Sequence, residues 1–154
     1  MVAKLAHGSQ IYGDIFPYEK HLIDVIDVMT RFELPMKYKI AGALHDVLED
    51  GAISYNKIKT YFGLEVAEMV YCVTDEMGRN RAEKKRKTLP KTASNPDAVI
   101  LKLADRIANI EMGGKVDMYQ NEYDTFRDSL KQPDQLADPM WKALDELMKY
   151  KVAA

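Results

Sequence analysis

Apolar residues recur at three- and four-residue steps along most of this chain, which is the spacing of one helical face rather than the alternation of a strand. Leu22, Ile23, Ile26 and Met29 make the first such stripe. Pro35 interrupts it and suits the first turn of a second helix, where a missing N–H is not needed. Ile40, Ala43, Leu44, Val47 and Leu48 form the apolar face of that helix, and Gly51 stops it. Ser54 reads as the N-cap of a short helix with Ile58 and Tyr61 inward, ended by Gly63. Leu64, Val66, Ala67, Met69, Val70 and Val73 outline another face. The polar stretch 75–80, with Gly78, reads as a loop, and residues 81–92 are highly charged.

Asn95-Pro96-Asp97 restarts the chain into a strongly apolar helix from Ala98 to Met112, closed by Gly113-Gly114. Tyr119, Tyr123, Phe126 and Leu130 repeat at helical spacing, Pro133 to Pro139 reads as a loop, and Trp141, Leu144, Leu147 and Met148 indicate a last helix. No segment alternates with β-branched enrichment, so the pattern predicts an all-α fold. At 154 residues, with no linker or internal repeat, a single domain over 1–154 is expected.

Composition narrows the function classes. With 47% hydrophobic and 30% charged residues, the chain is expected to fold rather than stay disordered. A formal net charge of -2 gives no global attraction for nucleic acid or acidic membranes. No apolar run reaches the ~20 residues that span a bilayer, and Met1 to Gly8 lacks the core of a signal peptide, so a cytoplasmic location is expected. Cys72 is the single cysteine, which rules out an intrachain disulfide and a cysteine-based zinc cluster. Within Val70-Tyr71-Cys72-Val73 it reads as a buried, inert thiol.

Candidate chemistry gathers around the histidines. His45 is followed by Asp46, Glu49 and Asp50. In a continuous helix His45 would share a face with Glu49, and Asp46 the adjacent face with Asp50. Three carboxylates so close repel one another unless a cation offsets them. Read alone, the His-Asp pair is better taken as part of a solvated acidic helix end with a satisfied histidine. His21 and Asp105 change the balance, because each is a polar residue set in an apolar helix, and a carboxylate there needs a partner. His21, His45, Asp46 and Asp105 could close around one divalent metal, and mixed nitrogen and oxygen donors suit Mn, Fe or Zn. His7 reads as structural, and the nine methionines read as packing.

Five stretches occur in order: Ala6-His7-Gly8-Ser9-Gln10, Pro17-Tyr18-Glu19-Lys20-His21, Leu44-His45-Asp46-Val47-Leu48-Glu49-Asp50, Val73-Thr74-Asp75 and Lys102-Leu103-Ala104-Asp105-Arg106-Ile107-Ala108-Asn109. Together they resemble the hydrolase domain of the RelA/SpoT family within the HD superfamily, in particular its small stand-alone hydrolases. Glu83-Lys84-Lys85-Arg86 and the aromatic pattern from Tyr119 to Phe126 also fall where that family has similar residues, and the resemblance covers roughly residues 3–130. It implies an HD-type helical bundle and a Mn2+-dependent enzyme that removes pyrophosphate from the 3′ position of guanosine polyphosphates, (p)ppGpp, the nucleotides of the stringent response. His21, His45, Asp46 and Asp105 match the metal ligands, Glu49 and Asp50 the acidic pair that handles the attacking water, and Asn109 a polar position near the substrate sugar.

The segment Arg79 to Lys91 is dense in Arg and Lys, which suits a polyphosphate beside an acidic metal site. Arg81, Lys84 and Arg86 are the expected direct contacts, against the plainer reading of a solvated charged helix. Nucleic-acid binding fits less well, since no aromatic residues interleave with the patch. The family pattern has basic residues shortly after the position of Gln10, whereas this chain has Ile11-Tyr12-Gly13-Asp14. Tyr12 supplies a surface on which a base could stack but no charge. Three readings follow: a guanosine polyphosphate 3′-pyrophosphohydrolase, an HD phosphatase acting on another nucleotide or on NADPH, and a non-catalytic, metal-stabilised protein-binding module. The sequence leaves the native metal and any homo-oligomeric assembly open.

Overall fold

The computed structural model describes the backbone of residues 11–12 and 16–150, and side chains from Glu19 to Tyr150. Eight α-helices appear among these residues: α1 (Tyr18–Arg31), α2 (Met36–Leu44), α3 (Tyr55–Phe62), α4 (Leu64–Val73), α5 (Arg81–Ala93), α6 (Pro96–Glu111), α7 (Val116–Leu130) and α8 (Ala137–Leu147). Two short strands precede them, Ile11–Tyr12 and Phe16–Pro17, paired antiparallel with Ile11 opposite Pro17. They are too short to alter the all-α class.

Helix α6 organises the bundle. Asn95 caps it by accepting from the N–H groups of Asp97 and Ala98, and Pro96 occupies its first turn. From Ala98 to Ile110 every residue except Lys102 is buried. A helix apolar on all sides must be surrounded, and α6 packs against α1, α2, α4, α5, α7 and α8. Side chains such as Ile100, Leu101, Leu103 and Ile107 are almost wholly excluded from water, each stabilising the fold by about 1.5–3 kcal/mol. The polar residues of this central helix, Asp105, Arg106 and Asn109, are buried with them.

Helix α1 lies against both α2 and α6. Its inner face is His21, Leu22, Val25, Val28 and Met29, whereas Ile23 faces outward at 52% exposure. The true stripe is rotated from the expected one because α1 must bury His21 on the side of α6. Tyr61, expected inward, is 73% exposed, and Leu64 also points outward, leaving Ile58 as the buried anchor of α3. The close approach of α1 and α2 depends on Gly42, where a Cβ would lie 3.0 Å from the terminal carbon of Met29 and 3.4 Å from Val25.

The second helix ends earlier than its apolar pattern implies. Regular α-helix stops at Leu44, His45 is its C-cap, and residues 45–51 form hydrogen-bonded turns. Val47 N–H reaches back three residues to Leu44, Asp50 N–H four to Asp46, and Ala52 N–H five to Val47. Irregular winding replaces the continuous helical phase on which the pairing of His45 with Glu49, and of Asp46 with Asp50, was based. Val47 still enters the core, which explains why the hydrophobic spacing looks unbroken.

Helix α5 is tied to the end of α4 and to the loop between them through its two buried threonines. Thr88 Oγ1 donates to the Lys84 carbonyl and accepts from Glu76 N–H, and Thr92 Oγ1 donates to the Cys72 carbonyl. At the far side, α7 is fastened by Asp145 of α8, which accepts from Tyr123 Oη at 2.5 Å and from Arg127 Nε and Nη2 at 3.0 and 3.1 Å.

Candidate metal centre and active site

The site forms where α1, the end of α2 and the middle of α6 converge. His21 projects from the second turn of α1, and its Nε2 lies 2.9 Å from Asp105 Oδ1. His45 Nε2 lies 3.2 Å from the same oxygen and 3.3 Å from Asp46 Oδ2. The two imidazoles meet edge to face, with centroids 5.3 Å apart. His21, His45 and Asp46 each offer a ligand atom within 4.8 Å of the others. Four side chains separated by up to 84 positions in sequence thus share one small volume.

The orientation of His45 is set by the chain itself. Its Nδ1 donates to the Gly42 carbonyl at 2.6 Å, three residues back in α2. That bond fixes the tautomer and turns Nε2 toward the carboxylates. Asn109, one turn beyond Asp105 on α6, donates through Nδ2 to Asp105 Oδ1 at 3.5 Å.

The electrostatics are those of a site made for a cation. Burial alone would lower the pKa of His45, yet Asp46 and Asp105 push it up to about 10. Burial would raise Asp105, but His45, His21 and Lys102 hold it well below the usual carboxylate range. In the absence of an ion, a proton on His45 offsets part of the negative charge. An N,N,O,O donor set of imidazoles and carboxylates, already converged, fits a divalent metal.

Beside these ligands lies a cavity of about 180 Å³, lined by His45, Asp46, Glu49, Asp75, Lys102 and Asp105 together with Val73 and Leu101. Glu49 faces it, and burial together with Asp75 and Asp46 raises its pKa. Asp50 is exposed and is not among the lining residues. Asp75 is raised by burial but held lower by Lys85, whose Nζ donates to both carboxylate oxygens at 2.9 and 3.2 Å. Lys85 itself is pulled down to about 8 by burial and by Lys102, against the pull of Asp75. Lys102 Nζ stands 3.6 Å from Asp105 Oδ2.

A second, larger cleft of about 650 Å³ opens between α5 and α7 over α6, and Lys102 lines both spaces. Arg81 and Arg86 line this cleft, while the exposed Lys84 lines neither. Arg81 forms a two-pronged pair with Glu122, at 3.1 and 2.8 Å. His7 and the Tyr12 side chain lie outside the described residues. Three polar residues at the site, Asp75, Lys85 and Lys102, went unassigned from sequence. Lys102 carried a signal: it interrupts the apolar α6 one turn before Asp105.

A family match decides what this arrangement is: the HD domain family matches residues 1–126. The chain belongs to the HD domain family. This HD domain carries the His, His and Asp arrangement of a metal-dependent phosphohydrolase. Among curated proteins it is similar to the guanosine-3′,5′-bis(diphosphate) 3′-pyrophosphohydrolase of Aquifex aeolicus, 36% identical over 114 residues, covering 71% of this chain and 16% of that protein. It is also similar to the bifunctional (p)ppGpp synthase/hydrolase SpoT of Escherichia coli K12, 29% identical over 123 residues, covering 75% and 18%. The chain therefore spans less than a fifth of the length of these relatives.

Among solved structures, a metazoan SpoT ortholog described as hydrolysing ppGpp superposes with a TM-score of 0.77 at 25% identity, covering 96% of this HD domain and 89% of that chain. A Listeria monocytogenes EGD-e protein shares the fold alone, with a TM-score of 0.69 at 21% identity over 84% of this chain and 97% of that one. Among the described residues no helix is long and apolar enough to cross a membrane.

Proposed function

We propose that this HD domain hydrolyses guanosine 3′,5′-bis(diphosphate) and its pentaphosphate analogue, (p)ppGpp, releasing the 3′ pyrophosphate, with Mn2+ as the working ion. The observation that carries the reading is Asp105 Oδ1 within 2.9 and 3.2 Å of two buried imidazoles from different helices. The similarity to the Aquifex and Escherichia proteins and to the metazoan SpoT ortholog supports the substrate.

His21, His45, Asp46 and Asp105 would hold the ion. When bound, a divalent cation supplies Lewis acidity that neutralises phosphate charge and makes a water molecule easier to deprotonate. Glu49, with its raised pKa and its place on the cavity wall, accepts the proton from the attacking water. Asp50 is the second member of the acidic pair that handles that water. Lys102, the one cationic side chain among the lining residues of the cavity, offsets charge on the phosphoryl oxygens, while Lys85 neutralises Asp75. Asn109 steadies Asp105 and is assigned to the substrate sugar. Arg81 and Arg86, and more distantly Lys84, supply positive charge for the phosphates that do not react, and Tyr12 is assigned to the base.

The test is a nucleotide panel, incubated with the full chain and Mn2+ and resolved by chromatography. The expected products are pyrophosphate with GDP from ppGpp, and pyrophosphate with GTP from pppGpp. Orthophosphate from another nucleotide or from NADPH, with (p)ppGpp untouched, would sink the assignment. Absence of turnover on the whole panel would leave only a metal-stabilised binding module.

A further inference from the structure

Two carboxylates border the metal cavity without being proposed ligands, Glu49 and Asp75. Asp50, next to Glu49 in sequence, is exposed and is not among the lining residues. A space that receives a phosphate gains nothing from spare negative charge, so a carboxylate kept there needs a purpose. Glu49 serves as proton acceptor in the proposed reaction. Neutralisation by Lys85 makes Asp75 tolerable but is no reason for its presence.

Asp75 is firmly fixed. Lys85 Nζ donates to both of its oxygens, at 2.9 and 3.2 Å, and neither side chain is more than about a fifth exposed. Its neighbours in sequence are tied down as well. The Thr74 carbonyl accepts from Lys91 Nζ at 2.7 Å, and Glu76 N–H donates to Thr88 Oγ1 at 2.8 Å. All three partners come from α5, so one helix holds this carboxylate on the cavity wall in advance of any substrate. The surroundings also divide the two carboxylates. Burial and then Asp75 raise Glu49, whereas Asp75, which burial would raise, is held low by Lys85 and Lys102. Two acids pushed apart in this way can take different parts in one step.

We propose that Asp75 is a catalytic residue, accepting a hydrogen bond from the attacking water alongside Glu49 and so aiming that water at phosphorus. The water has two O–H bonds. One proton passes to Glu49 as the new oxygen–phosphorus bond forms and the bond from phosphorus to the 3′ oxygen breaks. Glu49, which borders solvent, releases that proton to bulk water, from which the departing oxygen is protonated. The other O–H points at Asp75, stays whole and becomes a hydroxyl of the released pyrophosphate. Lys85 keeps Asp75 ionised, so it accepts without taking the proton. The step rests on the hydrolase reading for its reaction and on the cavity for its geometry.

The test uses the full chain, and its decisive variant is the double Asp75→Leu/Lys85→Met. Removing the ion pair together leaves no charge without a partner, so the double melts close to the parent and above Lys85→Met alone. Its metal content by elemental analysis matches the parent. On whichever nucleotide the parent hydrolyses, kcat of the double falls about tenfold or more and does not recover relative to Lys85→Met. Asp75→Asn, which retains an acceptor oxygen, loses less. In calorimetry on the metal-stripped chain, Asp75→Asn binds inorganic pyrophosphate about threefold or more tighter than the parent, since a negative charge has left the space that takes phosphate.

A double variant whose kcat recovers along with its stability overturns the assignment and makes Asp75 a brace for α5. Loss of metal alongside turnover also overturns it, as does pyrophosphate bound no tighter by Asp75→Asn. A parent inactive on the whole panel defeats the hydrolase reading and this step with it. An active parent with an indifferent double defeats the step alone.

Discussion

On the α1–α2 side of the site, His21 and His45 are 2% and 5% exposed, and each imidazole meets a carboxylate or carbonyl at hydrogen-bond distance. On the α5–α7 side, Arg81 and Arg86 are exposed, and Arg81 is held by an ion pair that water and salt can reach. Ligands of the first kind are preorganised by packing, so removing one leaves buried charge without a partner. Cations of the second kind are individually weak and screened by salt. Damage to the first wall should therefore be close to all-or-none, and damage to the second graded.

The largest effect is expected at Asp105. Asp105→Asn should abolish metal binding, measured by elemental analysis, and lower turnover at least about a thousandfold, the several kcal/mol that a Lewis acid gives a phosphoryl transition state. Full metal occupancy in that variant would dissolve the distinction between the two walls. Glu49→Gln should keep the metal and lose about 10²- to 10⁴-fold in kcat; loss of metal alongside activity would make Glu49 a ligand instead.

A third effect follows from competition between ion and proton. His45 holds its proton up to about 10 in the metal-free site, so binding must expel it. Apparent metal affinity should then rise about tenfold per pH unit across the neutral range. A pH-independent affinity by titration calorimetry would remove His45 from the ligand set. Gly42→Val should cost about 1–3 kcal/mol by overpacking and loosen the ion as α1 and α2 part. Gly42→Ala should be milder, since the nearest atom is the movable end of Met29. The smallest effect belongs to the second wall: Arg81→Gln should raise KM by about threefold, with a dependence on ionic strength weaker than that of the parent.

How much of this was legible in the sequence depended on burial. Asp105 and His21 stood out because a polar residue in an apolar helical run needs a reason, and the fold brings the two within 2.9 Å of each other. Glu49 lies on the cavity as the acidic cluster implied, but the helix drawn through it does not exist, since winding changes at His45. Hydrophobic spacing cannot distinguish a regular helix from turns that place Val47 in the same core. Lys85 was hidden among neighbours of its own type: only the side from which α6 approaches decides that Lys85, and not Lys84, faces inward. Asp75 was likewise hidden in a polar loop, because its partner arrives from the following helix. The stripe on α1 was rotated for a related reason, as propensity carries no information on where α6 will lie.

The attachment of α7 has a mechanical consequence. Asp145 grips Tyr123, at the middle of the helix, and Arg127 beyond it, and Glu122 beside Tyr123 pairs with Arg81 and Arg106, while the turns before Glu122 are held by packing of Val116 and Tyr119. The helix is thus a cantilever, bolted from its middle outward, with its first turns overhanging. Amide exchange should run faster over residues 116–121 than over 124–130.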